Sequence, residues 1–310
     1  MKAAQFSQYG APDVIVVNEI DKPVLKAGQV LVQVHAAAIN PFDAKLRQGN
    51  MKNTIPLDLP VTIGADFAGV VSQVSADVID VQIGDSVYGS ANVLGGGSGA
   101  IAEYAAANVK NIARKPANLS PEKSAAIVLV GVSAYDTIDK LHPIQGSKIL
   151  IHGGAGGIGS EAIQYAKSLG AYVATTVRAE EVDFVVSLGA DQTIDYENQH
   201  FENILHDCDG VLDTAGGEVY EKSFKVLKPG GILVSMGMKP NQELAQQYGV
   251  TAIIQSTQVN TQSLQRLAEI LEQGIITPKV DRIYPIENTA DAFTRLELGH
   301  PRGKVVVKIG

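Results

Sequence analysis

The sequence predicts an α/β protein that combines a β-rich domain with a six-stranded, doubly wound parallel sheet. In the first 120 residues, short β-branched runs alternate with Gly, Pro and Asp, which is typical of strands joined by turns. After Pro121, apolar strands alternate with amphipathic helices, which is the pattern of a parallel sheet with crossover helices. The 310 residues suffice for two domains. We expect the β-rich domain over 1–123 and 275–310, and the parallel-sheet domain over 124–274.

The individual strands follow from these runs. In the β-rich domain the expected strands are Val14–Val17, Gln29–His35, Ala68–Val74, Asp85–Tyr88, Ile101–Tyr104 and, from the tail, Val280–Ile286 and Lys304–Ile309. In the parallel sheet they are Lys148–His152, Tyr172–Thr176, Gln192–Asp195, Gly210–Asp213, Gly231–Ser235 and Ile253–Thr257. A helix over Ser263–Glu272 is expected to complete the parallel-sheet domain.

The charge balance and the hydropathy exclude several classes of function. The chain has 25 Lys and Arg against 33 Asp and Glu, and this formal charge of −8 speaks against a nucleic-acid partner. No long apolar stretch could span a membrane, and the opening residues MKAAQFSQYG lack the apolar run of a signal peptide. We therefore expect a cytoplasmic protein with no membrane partner.

Metal-ligating residues are sparse. The single cysteine, Cys208, excludes an intramolecular disulfide and a zinc site built on several thiolates. His200 and His206 lie near it, but the spacing fits no common zinc pattern and favours a solvated loop. We predict no metal.

The strongest motif is an apolar strand, Lys148–His152, that runs into a glycine-rich turn. Apolar residues recur behind it at helical spacing until Gly170, and the strand Tyr172–Thr176 follows. In such a βαβ unit, glycines permit a tight turn and a close approach of a pyrophosphate to a helix N-terminus. The alternative is an unoccupied glycine turn. We expect the dinucleotide to contact Gly154, Gly156, Gly157, Ile158 and Gly159.

The end of the second strand favours NADP(H) over NAD. NAD sites usually place an acidic residue there to bind the ribose 2′-hydroxyl, whereas this chain has Thr176 and then Arg178. The guanidinium can hold a 2′-phosphate by charge-assisted hydrogen bonds. The alternative is a solvated Arg178, and the nearby Glu180 and Glu181 weigh toward it.

Several further segments resemble one known family along nearly the whole chain. They are Ala38–Lys45, Ile63–Val71, Gly84–Gly89, the glycine turn, Ser187–Asp191 and Gly303–Val307. In this order and spacing they are similar to the medium-chain dehydrogenase/reductase superfamily, in its zinc-free branch of quinone oxidoreductases and enone (alkenal) reductases. The resemblance implies a GroES-like catalytic domain and a Rossmann domain.

The resemblance also bears on metal and reaction. Zinc-dependent members carry a Cys in the segment matching Ile39–Asn40 and His-Glu in place of Ala65–Asp66, so both ligand positions are altered here. Without a Lewis acid, reduction of an activated acceptor is favoured over alcohol oxidation. The implied activity is zinc-independent, NADPH-dependent hydride transfer to a quinone or an α,β-unsaturated carbonyl compound.

Two residues are the implied catalytic candidates. Lys45 would donate to the substrate carbonyl oxygen, where negative charge builds, and Asn40 would position the cofactor carboxamide or the substrate carbonyl. A surface role is the alternative for Lys45. Some quinone oxidoreductases carry tyrosines where this chain has Lys45 and Met51, so the substrate stays open between quinones and enones.

The resemblance implies further cofactor contacts, and a plain turn or helix cap is the alternative for each of them. They fall where the ends of parallel strands meet a ligand: Ser133, Tyr196, Thr214, Gly237 and Met238. Relatives pair through the sixth strand of the Rossmann sheet, which implies a homodimer here. The remaining partner is a small-molecule substrate.

Two other functions compete with the reductase. One is a non-catalytic NADPH-binding protein, either a sensor or a structural protein. The other is a zinc-free carbonyl or alcohol oxidoreductase.

Overall fold

The computed structural model describes all 310 residues. In chain order the strands are β1 (Lys2–Phe6), β2 (Ile15–Glu19), β3 (Gln29–Ala38), β4 (Val61–Thr62), β5 (Asp66–Val74), β6 (Ser86–Ser90), β7 (Tyr104–Asn108), β8 (Ile112–Arg114), β9 (Lys148–His152), β10 (Tyr172–Val177), β11 (Gln192–Asp195), β12 (Cys208–Asp213), β13 (Leu227–Ser235), β14 (Thr251–Ile254), β15 (Val280–Pro285) and β16 (Lys304–Lys308). The α-helices are α1 (Pro41–Arg47), α2 (Pro121–Lys140), α3 (Gly157–Ser168), α4 (Val182–Ser187), α5 (Gly217–Ser223), α6 (Gln242–Tyr248), α7 (Thr261–Glu272) and α8 (Thr289–Leu298). None of these helices has the length and apolar character needed to cross a membrane.

The chain forms two compact units. The first unit comprises Met1–Leu129, Val259–Glu272 and Pro278–Gly310, and the second comprises Val130–Gln258 and Gln273–Thr277.

The second unit contains the parallel sheet that the sequence predicts. Its six strands follow the order β11-β10-β9-β12-β13-β14, and every neighbouring pair is parallel. Numbered within the unit, this order is 3-2-1-4-5-6, the doubly wound arrangement whose ligands bind beyond the carboxyl ends of the strands. The central strands are buried apolar runs because helices cover both faces of such sheets.

The first unit is β-rich, as expected. One sheet has the order β2-β1-β4, and a larger one has the order β15-β16-β3-β5-β6-β8, with β7 also paired to β3. The tail strand β16 pairs antiparallel with β3, which confirms that the end of the chain returns to the first sheet. Buried aromatic side chains from distant segments fill the core, among them Phe6, Phe67 and Phe293.

Helix α7 belongs to the first unit, whereas we expected the helix at 263–272 to complete the parallel-sheet domain. The buried Tyr88 hydroxyl on β6 donates to the carbonyl O of Leu264 at 2.6 Å. The hydroxyl of Thr261 lies 3.2 and 2.9 Å from the carbonyl O atoms of Val109 and Ile112. These contacts join the start of α7 to strands of the first unit, and helical periodicity alone does not reveal them.

Several strands differ by a few residues from their predicted bounds, and two of them are shifted along the chain by two to four residues at both ends. The last parallel strand covers 251–254 instead of 253–257, and the buried Gln255 side chain that follows it hydrogen-bonds to Asp136 on α2. The run at 101–104 forms isolated backbone bonds, such as Ala4 N to Ile101 O at 2.9 Å, and the regular strand starts only at Tyr104.

Candidate functional site

The glycine-rich turn lies at the carboxyl end of β9, the first strand of the parallel sheet. A Cβ atom on Gly159 would stand 2.2 Å from the carbonyl O of Gly153, and one on Gly154 would stand 2.1 Å from Thr175 Oγ1. Gly153 itself has a φ of +67°. Helix α3 starts at Gly157, so its first unpaired N–H groups follow the turn directly. Gly154 and Gly159 thus leave no room for a Cβ atom, and the turn forms a tight cradle of the kind that pyrophosphate binding requires.

Two threonines hold this turn from neighbouring strands. Thr176, at the end of β10, accepts a hydrogen bond from Gly153 N at 3.2 Å. Thr214, just after β12, donates to the carbonyl O of His152 at 2.7 Å. Both residues were expected to contact the cofactor. The structure places their hydroxyl groups on the backbone of the cradle, which they fix in position.

A buried histidine continues this hydrogen-bond chain. The Ser223 hydroxyl donates to Val219 O at 2.6 Å and therefore accepts from His152 Nε2 at 3.0 Å. His152 Nδ1 then accepts from the Thr176 hydroxyl at 3.1 Å. The chain runs from the N–H of Gly153 to helix α5, and it assigns the neutral Nε2–H tautomer.

Burial keeps this imidazole neutral. The ring of His152 packs edge-on against Phe201, with centroids 4.6 Å apart. Desolvation lowers the pKa of His152 to about 4, against a smaller opposing effect of the Asp213 and Glu202 carboxylates. A neutral ring is required because a protonated Nδ1 could not accept from Thr176.

A buried carboxylate organises the loops after β12 and β13. Asp213 Oδ1 accepts from the N–H groups of Ala215 and Gly216 at 3.0 and 2.8 Å. Its Oδ2 accepts from the Ser235 hydroxyl at 2.7 Å. The Ser235 oxygen in turn accepts from Gly237 N at 3.3 Å and from Met238 N at 3.0 Å. The predicted cofactor contacts Thr214, Gly237 and Met238 therefore lie on two loops that share one polar anchor.

Ser133 lies on α2 at a buried polar junction. Its hydroxyl is 2.8 Å from that of Thr257, and its carbonyl O accepts from the Thr137 hydroxyl at 2.6 Å. Gln255 bonds to both Asp136 and Lys140 on the same helix. The junction fixes the segment that follows β14 against α2, within the second unit.

Arg178 and Tyr196 come together at the ends of β10 and β11. The Arg178 Nε donates to the Tyr196 hydroxyl at 3.1 Å. The guanidinium also pairs with two carboxylates, Glu180 at 3.5 Å and Glu197 at 3.4 Å. Glu181 plays another part, because its carboxylate accepts the backbone N–H of Arg178 at 3.0 Å.

In the first unit, Asn40 lies at the start of α1 inside a buried polar cluster. Its Nδ2 donates to Asp66 Oδ2 at 2.9 Å, and its backbone N donates to Asp43 Oδ2 at 2.8 Å. The Lys304 ammonium bonds to Asn40 Oδ1 and, at 2.6 Å, to the carbonyl O of Ile39. The amide of Asn40 is thus bound on both sides by side chains of its own unit.

Burial shifts the pKa values of the three ionisable side chains in this cluster, which are Asp43, Asp66 and Lys304. Desolvation raises the pKa of Asp43 to about 7 and also raises the pKa of Asp66, while it lowers the pKa of Lys304. The mutual attraction between the ammonium and the two carboxylates opposes these shifts. The cluster carries an excess negative charge when both carboxylates are ionised.

Lys45, the other catalytic candidate, lies one turn along α1. Its side chain is exposed and makes no hydrogen bond or ion pair within the protein. Helix α1 is fixed beside it, because the buried Arg47 bonds to Glu297 at 2.7 Å. An exposed, unpaired ammonium on a fixed helix is available to a ligand.

The donor set does not suit zinc. No group of three or more His, Cys, Asp or Glu side chains is arranged to hold a metal ion. Ala65 has no ligand atom, and the Lys304 ammonium stands beside Asn40 and would repel a cation.

Sequence reasoning assigned no role to His152, Asp213 or Lys304. His152 and Asp213 are each the last residue of an apolar parallel strand, the edge where ligands bind in such sheets. A polar residue at the end of an apolar strand is therefore the sequence feature that could have identified both residues. Lys304 gave none, because only the fold brings it to Asn40.

Comparisons with known proteins agree with this arrangement. Residues 26–117 match the family described as alcohol dehydrogenase GroES-like domain, and residues 188–307 match that described as zinc-binding dehydrogenase. The 2-methylene-furan-3-one reductase of Solanum lycopersicum is 37% identical over 99% of this chain and 79% of its own. The chloroplastic NADPH-dependent alkenal/one oxidoreductase of Arabidopsis thaliana is 38% identical with the same coverage.

Solved structures agree as well. The quinone oxidoreductase of Coxiella burnetii superposes with a TM-score of 0.92, at 34% identity, over 100% of this chain and 99% of the other. The quinone oxidoreductase of Escherichia coli complexed with NADPH gives a TM-score of 0.89, at 26% identity, over 99% and 100%.

Proposed function

Because the chain belongs to the medium-chain dehydrogenase/reductase superfamily, in its branch of quinone and alkenal/one oxidoreductases, we propose that it is an NADPH-dependent reductase of quinones or α,β-unsaturated carbonyl compounds. The observation that carries the proposal is the cradle at Gly153–Gly159, where Gly154 and Gly159 leave no room for a Cβ atom and helix α3 starts directly after the turn.

The residues of the second unit would hold the cofactor. The first turn of α3 and the glycine cradle would bind the pyrophosphate, and Arg178 with Tyr196 would bind the 2′-phosphate. The loops anchored by Asp213 and Ser235 would line the rest of the site. When bound, NADPH supplies a hydride from C4 of its nicotinamide.

Lys45 and Asn40 would serve the substrate in different ways. Lys45 would donate a hydrogen bond to the carbonyl oxygen, on which negative charge builds during reduction. Asn40 would act mainly by holding helix α1 in place, since its side-chain amide is already hydrogen-bonded to Asp66 and Lys304. It would thereby fix the helix that carries Lys45.

The reaction is proposed to be independent of zinc. The support is the chemistry of the altered positions, where an alanine and an amide bonded to an ammonium replace the ligands of the zinc-dependent relatives. Elemental analysis of active, chelator-treated protein is the direct measurement.

A homodimer through the edge of the parallel sheet belongs to the proposal. Strand β14 pairs only with β13, and Ile254 on it is 44% exposed. An unpaired, partly apolar edge is a template for a second copy of the same strand. Sedimentation of the wild type and of Ile254→Lys tests this, and we expect the variant to be monomeric.

A cytoplasmic location is also proposed. The support is the cysteine usage, since the one cysteine, Cys208, provides no disulfide framework of the kind that small secreted domains use. Cell fractionation with an antibody to the protein is the test.

The decisive assay follows NADPH oxidation by chelator-treated protein with quinones, enones, alkenals and simple ketones, repeated with NADH. We expect turnover of quinones or enones. Tight binding of NADPH without turnover of any acceptor would instead identify a non-catalytic binder, and turnover of ketones alone would identify a carbonyl reductase.

A further inference from the structure

The guanidinium expected to hold the 2′-phosphate already has two carboxylate partners. Glu180 stands two residues after Arg178, and Glu197 follows Tyr196 at the end of the neighbouring strand β11. Their oxygens lie 3.5 and 3.4 Å from guanidinium nitrogens. Arg178 is one quarter exposed, while both glutamates are more than half exposed, so a ligand can reach all three side chains.

The third acidic residue nearby has a structural role. Glu181 is 7% exposed, and its carboxylate caps the backbone N–H of Arg178. Glu180 and Glu197, in contrast, pair with the guanidinium itself. They follow the ends of two different strands, and their separation in the sequence gives no sign that both reach Arg178.

The two carboxylates affect the two dinucleotides in opposite directions. A 2′-phosphate carries about two negative charges near neutral pH and must share the guanidinium with Glu180 and Glu197, which repel it. A free 2′-hydroxyl carries no charge and can donate a hydrogen bond to a carboxylate, as it does in sites specific for NAD. Arg178 and Tyr196 therefore favour NADPH, and the glutamates oppose that preference.

We propose that Glu197 and Glu180 are specificity-determining residues that reduce the preference of this site for NADPH, so that the protein binds both NADPH and NADH. The proposal rests on the proposed function, since it places the adenosine ribose of the cofactor beside Arg178.

The test measures equilibrium binding of NADPH and NADH to the full chain by cofactor fluorescence. The variants are Glu197→Gln, Glu180→Gln and the double variant. Glutamine keeps the size and the hydrogen-bonding oxygen and removes the charge. Glu221→Gln is the matched control, because Glu221 is exposed in the same unit and makes no contact with Arg178.

We expect each single variant to bind NADPH about three-fold more tightly, and the double variant about ten-fold, with no gain for NADH. Added salt should shrink the difference between the variants. Repeating the titration with 2′,5′-ADP and 5′-AMP places the effect at the 2′-phosphate, since these probes lack the nicotinamide half.

Other results would overturn the proposal. Weaker binding of NADPH by the variants would mean that the glutamates position Arg178 instead of competing for it. Equal changes for NADPH and NADH, or a change as large in Glu221→Gln, would show only an effect of net charge. If the wild type binds neither dinucleotide, the proposed function fails together with this proposal. The other results would overturn this proposal and leave the proposed function standing.

Discussion

The Asp213 carboxylate accepts a hydrogen bond of 2.7 Å from the Ser235 hydroxyl and so joins the ends of two neighbouring parallel strands. Ser235→Ala would leave Asp213 Oδ2 without this donor and would deprive the N–H groups of Gly237 and Met238 of their acceptor. We expect a loss of about 1–3 kcal/mol in the free energy of unfolding, and a higher KM for NADPH. Urea denaturation and steady-state kinetics measure both. Ser187→Ala, an exposed serine, is the control and should change neither; an unchanged Ser235→Ala protein would contradict the anchoring role.

The cradle makes a sharp steric prediction at Gly159. In Gly159→Ala the new Cβ would meet the carbonyl O of Gly153 at 2.2 Å, and that backbone atom can move only if the turn changes. We expect NADPH affinity to fall by about ten-fold or more. Gly95→Ala is the control, since its nearest atom is 3.6 Å away. Circular dichroism should show that both variants fold, and retained affinity in Gly159→Ala would refute the steric argument.

His152 predicts a loss of stability in mild acid. Its pKa is about 4 in the folded protein and near 6.5 when unfolded, so the unfolded chain binds the proton more tightly. The stability is complete above about pH 6.5 and is lost as the pH falls toward 4. We expect His152→Gln to flatten the dependence of the free energy of unfolding on pH in this window. The exposed His206→Gln is the control, and parallel curves for wild type and His152→Gln would exclude a buried neutral imidazole.

For Asp43 we expect the opposite dependence of the free energy of unfolding on pH. Its folded pKa of about 7 exceeds the ordinary 3.8, so the folded state binds the proton more tightly and stability is lost as the pH rises through 7. Asp43→Asn keeps an acceptor oxygen for Asn40 N and removes the buried charge. We expect the variant to gain more than about 1 kcal/mol over wild type at about pH 8, relative to the difference at about pH 5. Chemical denaturation at both pH values is the measurement, and a constant difference would contradict the shift.

Lys45 is tested through turnover. In Lys45→Ala we expect kcat to fall about ten-fold or more at unchanged NADPH affinity, because a contact made to the developing oxyanion is lost. Lys52→Ala removes an exposed lysine from the same region and should leave kcat unchanged. Normal turnover by Lys45→Ala would make Lys45 a surface residue.

Most of the fold could be predicted because the hydrophobic periodicity of strands and helices, and the Gly, Pro and Asp residues that mark turns, are local features of the sequence. The strand Lys148–His152 has the predicted bounds, and so has Gln192–Asp195. The last parallel strand starts two residues and ends three residues before its predicted bounds, because the contacts of this segment, such as those of Gln255 with α2, are long-range. Helix α7 was expected in the other domain for the same reason, since its amphipathic pattern does not say which sheet its apolar face covers.

The candidate site also contains a part that the sequence predicts and a part that it does not. The glycines of the cradle follow from chemistry that acts within one βαβ unit. The partners of Asn40 could not be predicted, because Lys304 lies 264 positions away and reaches it only through the pairing of β16 with β3. The engagement of Thr176 with His152 also depends on which strand lies beside β10.

The return of β16 to β3 has a consequence for how the chain acquires its structure during synthesis. One edge of β3 pairs with β7 over 29–33 and with β16 over 36–38, so the second part of that edge stays open until residues near 304 have been made. The segments that form the parallel sheet are complete well before that point and can fold first. An open strand edge in a nascent chain is prone to pair with other chains. The larger sheet of the first unit is therefore completed by pairing Ala38 with Val306 across most of the sequence, which makes folding of that unit slow compared with a contiguous domain.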